Sequence, residues 1–261
     1  MLILYFSGTG NTEHVAQLFS KKTGAKCLSI ETDTDITAEL KSHDTLAFCY
    51  PIYGSRVPRI MREFVVRHIP DIAHKKLIIL VTQTLFSGDG ARVFTDMFWE
   101  DTVNVIYAEH IHMPNNICNT PLLWPTSQRK IEKYKRKAEM KIAQICSDIE
   151  KGVVKRRGFS RISQWLGNIQ GRAWQGDSKD NNIQASLEQK AKDSVKIHNH
   201  CSICGLCIKI CPAKNLATKG EAIEQLNNCT VCYRCVNRCP QKAITVLFHK
   251  IPKWQYKGLG S

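Results

Sequence analysis

The residues best suited to chemistry in this chain are cysteines. Eight of its twelve lie near the C-terminus, as Cys201-Ser-Ile-Cys204-Gly-Leu-Cys207-Ile-Lys-Ile-Cys211-Pro212 and again as Cys229-Thr-Val-Cys232-Tyr-Arg-Cys235-Val-Asn-Arg-Cys239-Pro240. Each copy reads C-x2-C-x2-C-x3-C-P. Every cysteine of the first copy recurs 28 positions on, so the segment is an internal duplication. Three cysteines at this spacing wrap a tight loop around a 4Fe-4S cube, each thiolate reaching a different iron, and leave the fourth corner to a distant residue. Gly205 lets the backbone curl close to sulfide, and Pro212 and Pro240 turn the chain after the last cysteine. C-x-x-C pairs also serve zinc sites and disulfide frameworks, but two complete copies ending in x3-C-P weigh against both. The other four, Cys27, Cys49, Cys118 and Cys146, have no C-x-x-C partner and read as small buried apolar residues.

The duplicated segment resembles the bacterial-type 2x(4Fe-4S) ferredoxins. In that family the fourth cysteine of each run ligates the other cluster. The resemblance therefore implies Cys201, Cys204, Cys207 and Cys239 on one cluster, and Cys229, Cys232, Cys235 and Cys211 on the second.

A second set of residues stands at the N-terminus. An apolar strand over residues 2 to 6 runs into Ser7-Gly8-Thr9-Gly10-Asn11-Thr12, and a helical pattern follows to about Lys22. A strand, loop and helix in this order presents backbone N–H groups and a positive dipole end to an anion. No Gly-Lys-Ser/Thr follows and the glycine spacing is not that of a dinucleotide loop, so hydroxyls stand where a lysine would. The pattern resembles the flavodoxin phosphate loop, S/T-x-T-G-x-T, with Ser7, Thr9, Gly10 and Thr12 in the matching positions. That resemblance implies an FMN phosphate on Ser7 to Thr12. It also gives roles to two further loops: Pro51-Ile52-Tyr53-Gly54-Ser55-Arg56 after the third strand, and Thr84-Leu85-Phe86-Ser87-Gly88-Asp89-Gly90 after the fourth. Tyr53 would be an aromatic partner of the flavin ring, Gly54 would permit backbone approach, and the ring would lie between the two loops. His110 and His112 share one strand face without a third ligand nearby, and read as strand-end residues rather than a metal site.

The elements that must position these residues alternate strand and helix. Strands are expected near residues 2–6, 25–31, 44–50, 76–82 and 103–112. Helices are expected near 12–22, 36–41, 59–68, 91–100 and from 126 or 127 to about 152. The fold class is therefore α/β: a flavodoxin-like five-stranded parallel sheet, order 2-1-3-4-5, whose ligand crevice lies at the switch between strands 1 and 3. A small α+β two-cluster ferredoxin domain follows it. The expected units are residues 1–150, a basic tryptophan-bearing linker over 151–195, and 196–261, where strands near 195–198 and 243–248 flank the cysteines and a hairpin turns at Lys219-Gly220. Ser186 with Gln189 resembles a capping box opening a short helix in the linker.

The formal charge of +14 is uneven: 18 basic against 17 acidic residues in 1–150, and 19 against 6 in 151–261. Cluster thiolates and a phosphate would offset part of that excess, leaving the rest for acidic partners. No nucleic-acid-binding pattern accompanies the charge, so nucleic acid is not expected as a partner. In the linker, Lys155-Arg156-Arg157 precedes Phe159, Ile162, Trp165, Leu166, Ile169 and Trp174. This stretch is expected to pack against the chain's own domains, membrane-surface contact being the weaker reading. No secretory signal or 18-residue apolar run is present, and a cytoplasmic location is expected. The whole chain resembles the flavodoxin-ferredoxin fusion proteins of anaerobic bacteria. The resemblance implies electron transfer between two 4Fe-4S clusters and FMN and on to redox partner proteins, with no catalytic acid, base or nucleophile required. The alternative is a flavin-dependent reductase of a small-molecule substrate fed by the clusters. Both leave room for a homodimer.

Overall fold

The computed structural model describes residues 1–32, 34–99, 102–120, 123–175 and 186–259. The last residue of the expected 91–100 helix and the middle of the expected 151–195 linker fall outside them. Six parallel strands form one sheet: β1 (Leu2–Tyr5), β2 (Lys26–Ser29), β3 (Thr45–Pro51), β4 (Lys76–Gln83), β5 (Asn104–His112) and β6 (Lys155–Arg156), in the order β2-β1-β3-β4-β5-β6. The alternation of side chains in β1 and β3 explains why both faces are covered. Leu2, Leu4, Leu46, Phe48 and Tyr50 face one layer, containing α2 (Ile36–Lys41), α3 (Arg59–Arg67), α4 (Ile69–Ile72) and a 3₁₀ helix at Arg92–Met97. Ile3, Ala47 and Cys49 face the other, where Val15, Ala16 and Phe19 of α1 (Asn11–Thr23) meet Ile131, Ala138, Ile142 and Ile145 of α5 (Gln128–Glu150).

Two sequence expectations change. The sheet gains a sixth strand, taken from the linker. Its two residues are charged and carry no apolar alternation, so nothing in the periodicity marks them; they are held by pairing with Tyr107 and Ala108. Lys155 Nζ and Arg157 Nη1 then reach the fully buried Glu109, at 2.7 and 3.3 Å, alongside Lys141 Nζ at 2.9 Å. The expected helix after β4 is 3₁₀ rather than α over the described residues. There Thr95 Oγ1 donates to the Arg92 carbonyl at 2.7 Å, a local bond that competes with the α-helical ladder.

The second half is built from α6 (Arg161–Gln175), α7 (Leu187–Asp193), α8 (Leu206–Ile210) and α9 (Arg234–Arg238). Two antiparallel pairs accompany them: β7 (Lys196–Ile197) with β10 (Ile244–Thr245), and β8 (Leu216–Lys219) with β9 (Ala222–Gln225), the latter turning at Gly220. Ser186 Oγ accepts from the Gln189 amide at 3.1 Å and starts α7. The sequence repeat is also a backbone repeat. Ile203 and Val231, Gly205 and Tyr233, and Lys214 and Lys242 all take positive φ, each pair 28 residues apart. The C-terminal tail then returns to the first half, where Tyr256 and Leu259 join the cluster around α1 and the Tyr256 hydroxyl donates to Asn11 Oδ1 at 2.5 Å. Among the isolated cysteines, Cys49, Cys118 and Cys146 are buried and Cys27 half-buried, and none of the described cysteines is in a disulfide.

Glu109 offers a test of the sixth strand. Burial alone would raise its carboxyl, but Lys155, the His110 amide and Lys141 more than offset this and hold it down at about 2, against an ordinary 4.5. A depressed carboxylate stabilises the fold above its ordinary value and loses that contribution as pH falls through the lowered one. Glu109→Gln should therefore cost about 3 kcal/mol at neutral pH. In thermal melts across acid pH, its deficit against wild type should shrink below pH 4.5 and close near 2. A pH-independent deficit would contradict the assignment.

Candidate functional site

The loops that follow β1, β3 and β4 converge, with the 113–117 segment after β5, on one cavity of about 460 Å³. In the first loop the Gly10 backbone is left-handed at φ 96°, which turns the chain into α1. Ser7 Oγ accepts from the Gly10 amide at 3.1 Å and Thr9 Oγ1 accepts from Asn116 Nδ2 at 3.1 Å. Each hydroxyl therefore turns its own proton toward another acceptor. Thr12 is buried and shares a 2.7 Å hydrogen bond with Thr82. None of the described lining residues carries a formal charge, so an anion here would be held by neutral donors.

The second loop is a tight turn closed by paired backbone bonds between Tyr53 and Arg56, at 3.0 and 3.1 Å, with Gly54 and Ser55 both at positive φ. The Ser55 hydroxyl donates to Gln170 Oε1. The Tyr53 ring sits 6.4 Å from that of Trp174. Its buried hydroxyl has no partner among the described residues, and burial, followed by the nearby Cys232, raises it well above the usual tyrosine range. An orphaned phenol in a cavity wall is a donor waiting for an acceptor.

The structure brings together Ser7, Gly8, Thr9, Asn11 and Thr12 with Pro51 to Ser55 and Thr84 to Phe86. It does not bring Gly10, Arg56 or the rest of the third loop to the same cavity. Gly10 lines a neighbouring cleft beside Arg234. Ser87 donates to Gln83 and contacts His110 Nδ1 at 3.0 Å. Asp89 is fully buried, 2.7 Å from Arg92 and 3.7 Å from Arg56, and Gly88 and Gly90 press against Gly167 and Ile52. These residues hold the loop and do not line it. Burial, helped by Arg157, lowers His110 to about 4, so it is a neutral structural imidazole. Met113 to Ile117, Gln170, Trp174, Val231, Tyr233 and Leu247 also line the cavity. Of these, Met113 to Ile117 open the proline-rich loop after the last expected strand, Trp174 belongs to the linker pattern and Val231 and Tyr233 flank Cys232, while Gln170 and Leu247 carried no signal.

The cysteines form two neighbouring groups. Burial and then Cys201, Cys239 and Cys204 push the Cys207 thiol up to about 11, and these four share one small pocket. Burial and then Cys232, Cys229 and Cys211 raise Cys235. Backbone amides reinforce both groups with the same 28-residue repeat: Ile203 N–H to Cys201 Sγ at 3.4 Å and Val231 N–H to Cys229 Sγ at 3.3 Å, then Asn215 to Cys211 at 3.2 Å and Ala243 to Cys239 at 3.3 Å. Among the described residues no group of three or more His, Cys, Asp or Glu could hold a single metal ion. Thiolates on the separate irons of a cube are a different geometry from ligands converging on one ion.

The two halves meet at the first loop. A Cβ at Gly8 would lie 2.4 Å from the Cys232 carbonyl oxygen. Arg234 Nη2 donates to the Ser7 carbonyl at 2.7 Å, Nε to the Gly8 carbonyl at 3.1 Å and Nη1 to the Ile210 carbonyl at 3.0 Å, with Glu31 bound at 2.7 and 2.8 Å.

Residues 2–112 match the flavodoxin domain family. No curated protein matches the chain. Among solved structures, the two-electron reduced flavodoxin of Megasphaera elsdenii is 24% identical, covering 55% of this chain and 99% of its own, with a TM-score of 0.38. Oxidised flavodoxin 2 of Bacillus cereus is 17% identical over 56% of this chain and 97% of its own, with a TM-score of 0.40. A putative flavoprotein of Bacteroides eggerthii is 18% identical over 42% and 86%, with a TM-score of 0.36.

Gly8→Ala tests the joint. The clash is with backbone, which cannot swing away, so the substitution should cost about 1–3 kcal/mol. An unchanged melting temperature would mean that Gly8 and Cys232 do not touch in solution.

Proposed function

We propose, from the flavodoxin-like domain at residues 2–112, that this chain binds FMN in the cavity between its halves and exchanges electrons between that flavin and two 4Fe-4S clusters. FMN bound there would supply the change between one- and two-electron chemistry. The protein's part is positioning. Ser7, Thr9 and the amides of Gly8 to Thr12 would hold the phosphate. Tyr53 and the Thr84 to Phe86 segment would flank the ring. Trp174 and Gln170 would shield it from water. Cys201, Cys204, Cys207 and Cys239 would hold one cluster, and Cys229, Cys232, Cys235 and Cys211 the other.

One observation carries this reading. Val231 and Tyr233, on either side of Cys232, line the same cavity as the first loop, so the second cysteine run stands in the wall of the flavin site. The equivalent loop of the first run faces outward, with Ser202, Ile203 and Cys204 exposed. Two identical binding loops in unlike surroundings support different duties. The inner one serves the flavin and the outer one serves a redox partner protein.

The test is anaerobic rapid mixing with a limiting one-electron reductant. Purified protein should carry about eight irons and one FMN per chain. Flavin bleaching should follow cluster reduction at a rate independent of protein concentration. A rate proportional to concentration would mean that electrons cross between molecules. Iron well below eight, or no flavin absorbance, would remove the cofactor assignment itself.

A further inference from the structure

Helix α6 has two faces that do different things. Its inner face is fixed to the loops of the cavity. Gly167 lies so close to Asp89, and Gly171 to Arg56, that a Cβ at either would fall within 2 Å of those side chains, while Gln170 meets Ser55 and Trp174 covers Gly54. The outer face carries Ile162, Trp165 and Ile169, which are 72%, 64% and 53% exposed. At positions i, i+3 and i+7 they form one stripe along the helix. The sequence expectation that this stretch packs against its own domains thus holds for Phe159 and Trp174 and fails for these three. The reason is the helical period, which puts the two glycines and Trp174 on the side opposite the stripe.

We infer that the outer face of α6 is an interfacial helix that rests on an anionic lipid surface, a property that stands independently of the cofactors. Arg161 and Arg172 are exposed at the two ends of the stripe, on its side of the helix. Residues 151–175 hold six lysines and arginines, of which Lys155 and Arg157 pair with Glu109, and no acidic residue. A Trp/Ile ridge with arginines beside it matches the acyl boundary of a bilayer with its phosphate headgroups: the rings and branched chains enter and the guanidiniums bind phosphate oxygens. At 15 residues the helix is about 22 Å long and lies along a surface. Among the described residues no helix is long and apolar enough to cross a membrane.

Two other occupants fit less well. A second copy docked through a two-fold axis would bring this cationic face against itself, with no carboxylate between residues 151 and 175 to relieve it. An acidic protein would complement the positive charge but leave a convex apolar ridge to be matched by a groove of its own.

The experiment is flotation of the holoprotein with phosphatidylcholine vesicles, with and without phosphatidylglycerol. Wild type should float with the anionic vesicles, and about tenfold less with neutral ones. Trp165→Glu and Arg161→Glu should each reduce anionic retention about tenfold. Lys21→Glu, the same charge change at the exposed end of α1, should leave it unaltered. Wild-type iron and flavin absorbance in each variant shows that the fold is intact, since none of these side chains faces the cavity. The inference is overturned if wild type stays in solution, if Trp165→Glu floats as wild type does, or if Lys21→Glu and Arg161→Glu fall equally. Binding to polyglutamate without binding to vesicles would assign the face to an acidic protein, and a dimer dissociated by Trp165→Glu would assign it to a second copy; either also overturns it.

Discussion

The guanidinium of Arg234 is the interaction on which the site depends. It lies between Tyr233 and Cys235 in the second cysteine run, yet its five hydrogen bonds go to Ser7, Gly8, Glu31 and Ile210. A planar fork can do this because its donors are fixed in direction, and a lysine could not. The consequence reaches into the first loop through peptide geometry. In a planar trans peptide the C=O and the following N–H point oppositely. With the Ser7 and Gly8 carbonyls turned to Arg234, the amides of Gly8 and Thr9 are aimed away from it. Arg234 lines the cleft on one side of this loop and is absent from the lining of the cavity on the other. The residue that anchors one half thus orients the backbone N–H groups of the first loop of the other half.

The same contact breaks the symmetry of the duplication. The two cysteine runs share spacing, positive-φ positions and N–H to sulfur bonds, and at that level are interchangeable. They part where the second meets the first domain. Val231 and Tyr233 are almost fully buried, whereas their counterparts Ile203 and Gly205 are exposed and half-buried. Hydrogen bonding to sulfur and solvent exposure are the levers that set cluster potentials. Of these, solvent exposure differs between the two runs where the second docks against the first half. Arg59 and Arg62 add to the docking, through the Asn228 carbonyl at 2.6 Å and Glu188 at 2.9 Å.

What the sequence made legible follows from the range of the signals. The cysteine array, the hydroxyl loop and the alternating strands are local patterns, and the sheet order, the two thiol groups and most of the cavity wall follow from them. The third loop was half legible: Thr84 to Phe86 reach the cavity, but Ser87 to Gly90 serve a buried Asp89 network whose partners Arg56 and His110 are distant in sequence. β6 was illegible because two charged residues have no periodicity. The α6 wall was illegible for a different reason. Gly167 and Gly171 look like breaks in an amphipathic helix, and only the loops they press against show them to be points of closest approach.

Those two glycines also decide what kind of linker this is. A tether between domains needs slack, so that the halves can separate and meet other partners. α6 has none over its described length, since its backbone is laid on Asp89 and Arg56 with no room for a single methyl group. β6 ties the segment before it to the sheet edge, and Glu109 draws Lys155 and Arg157 together at that point. Over its described residues up to Gln175 the linker is therefore a wall of the cavity. A fixed wall suits transfer within a molecule, because the path beside it is set at folding and does not wait on diffusion. It also means that any surface on which the outer face of α6 comes to rest would hold the cavity at a fixed orientation to that surface.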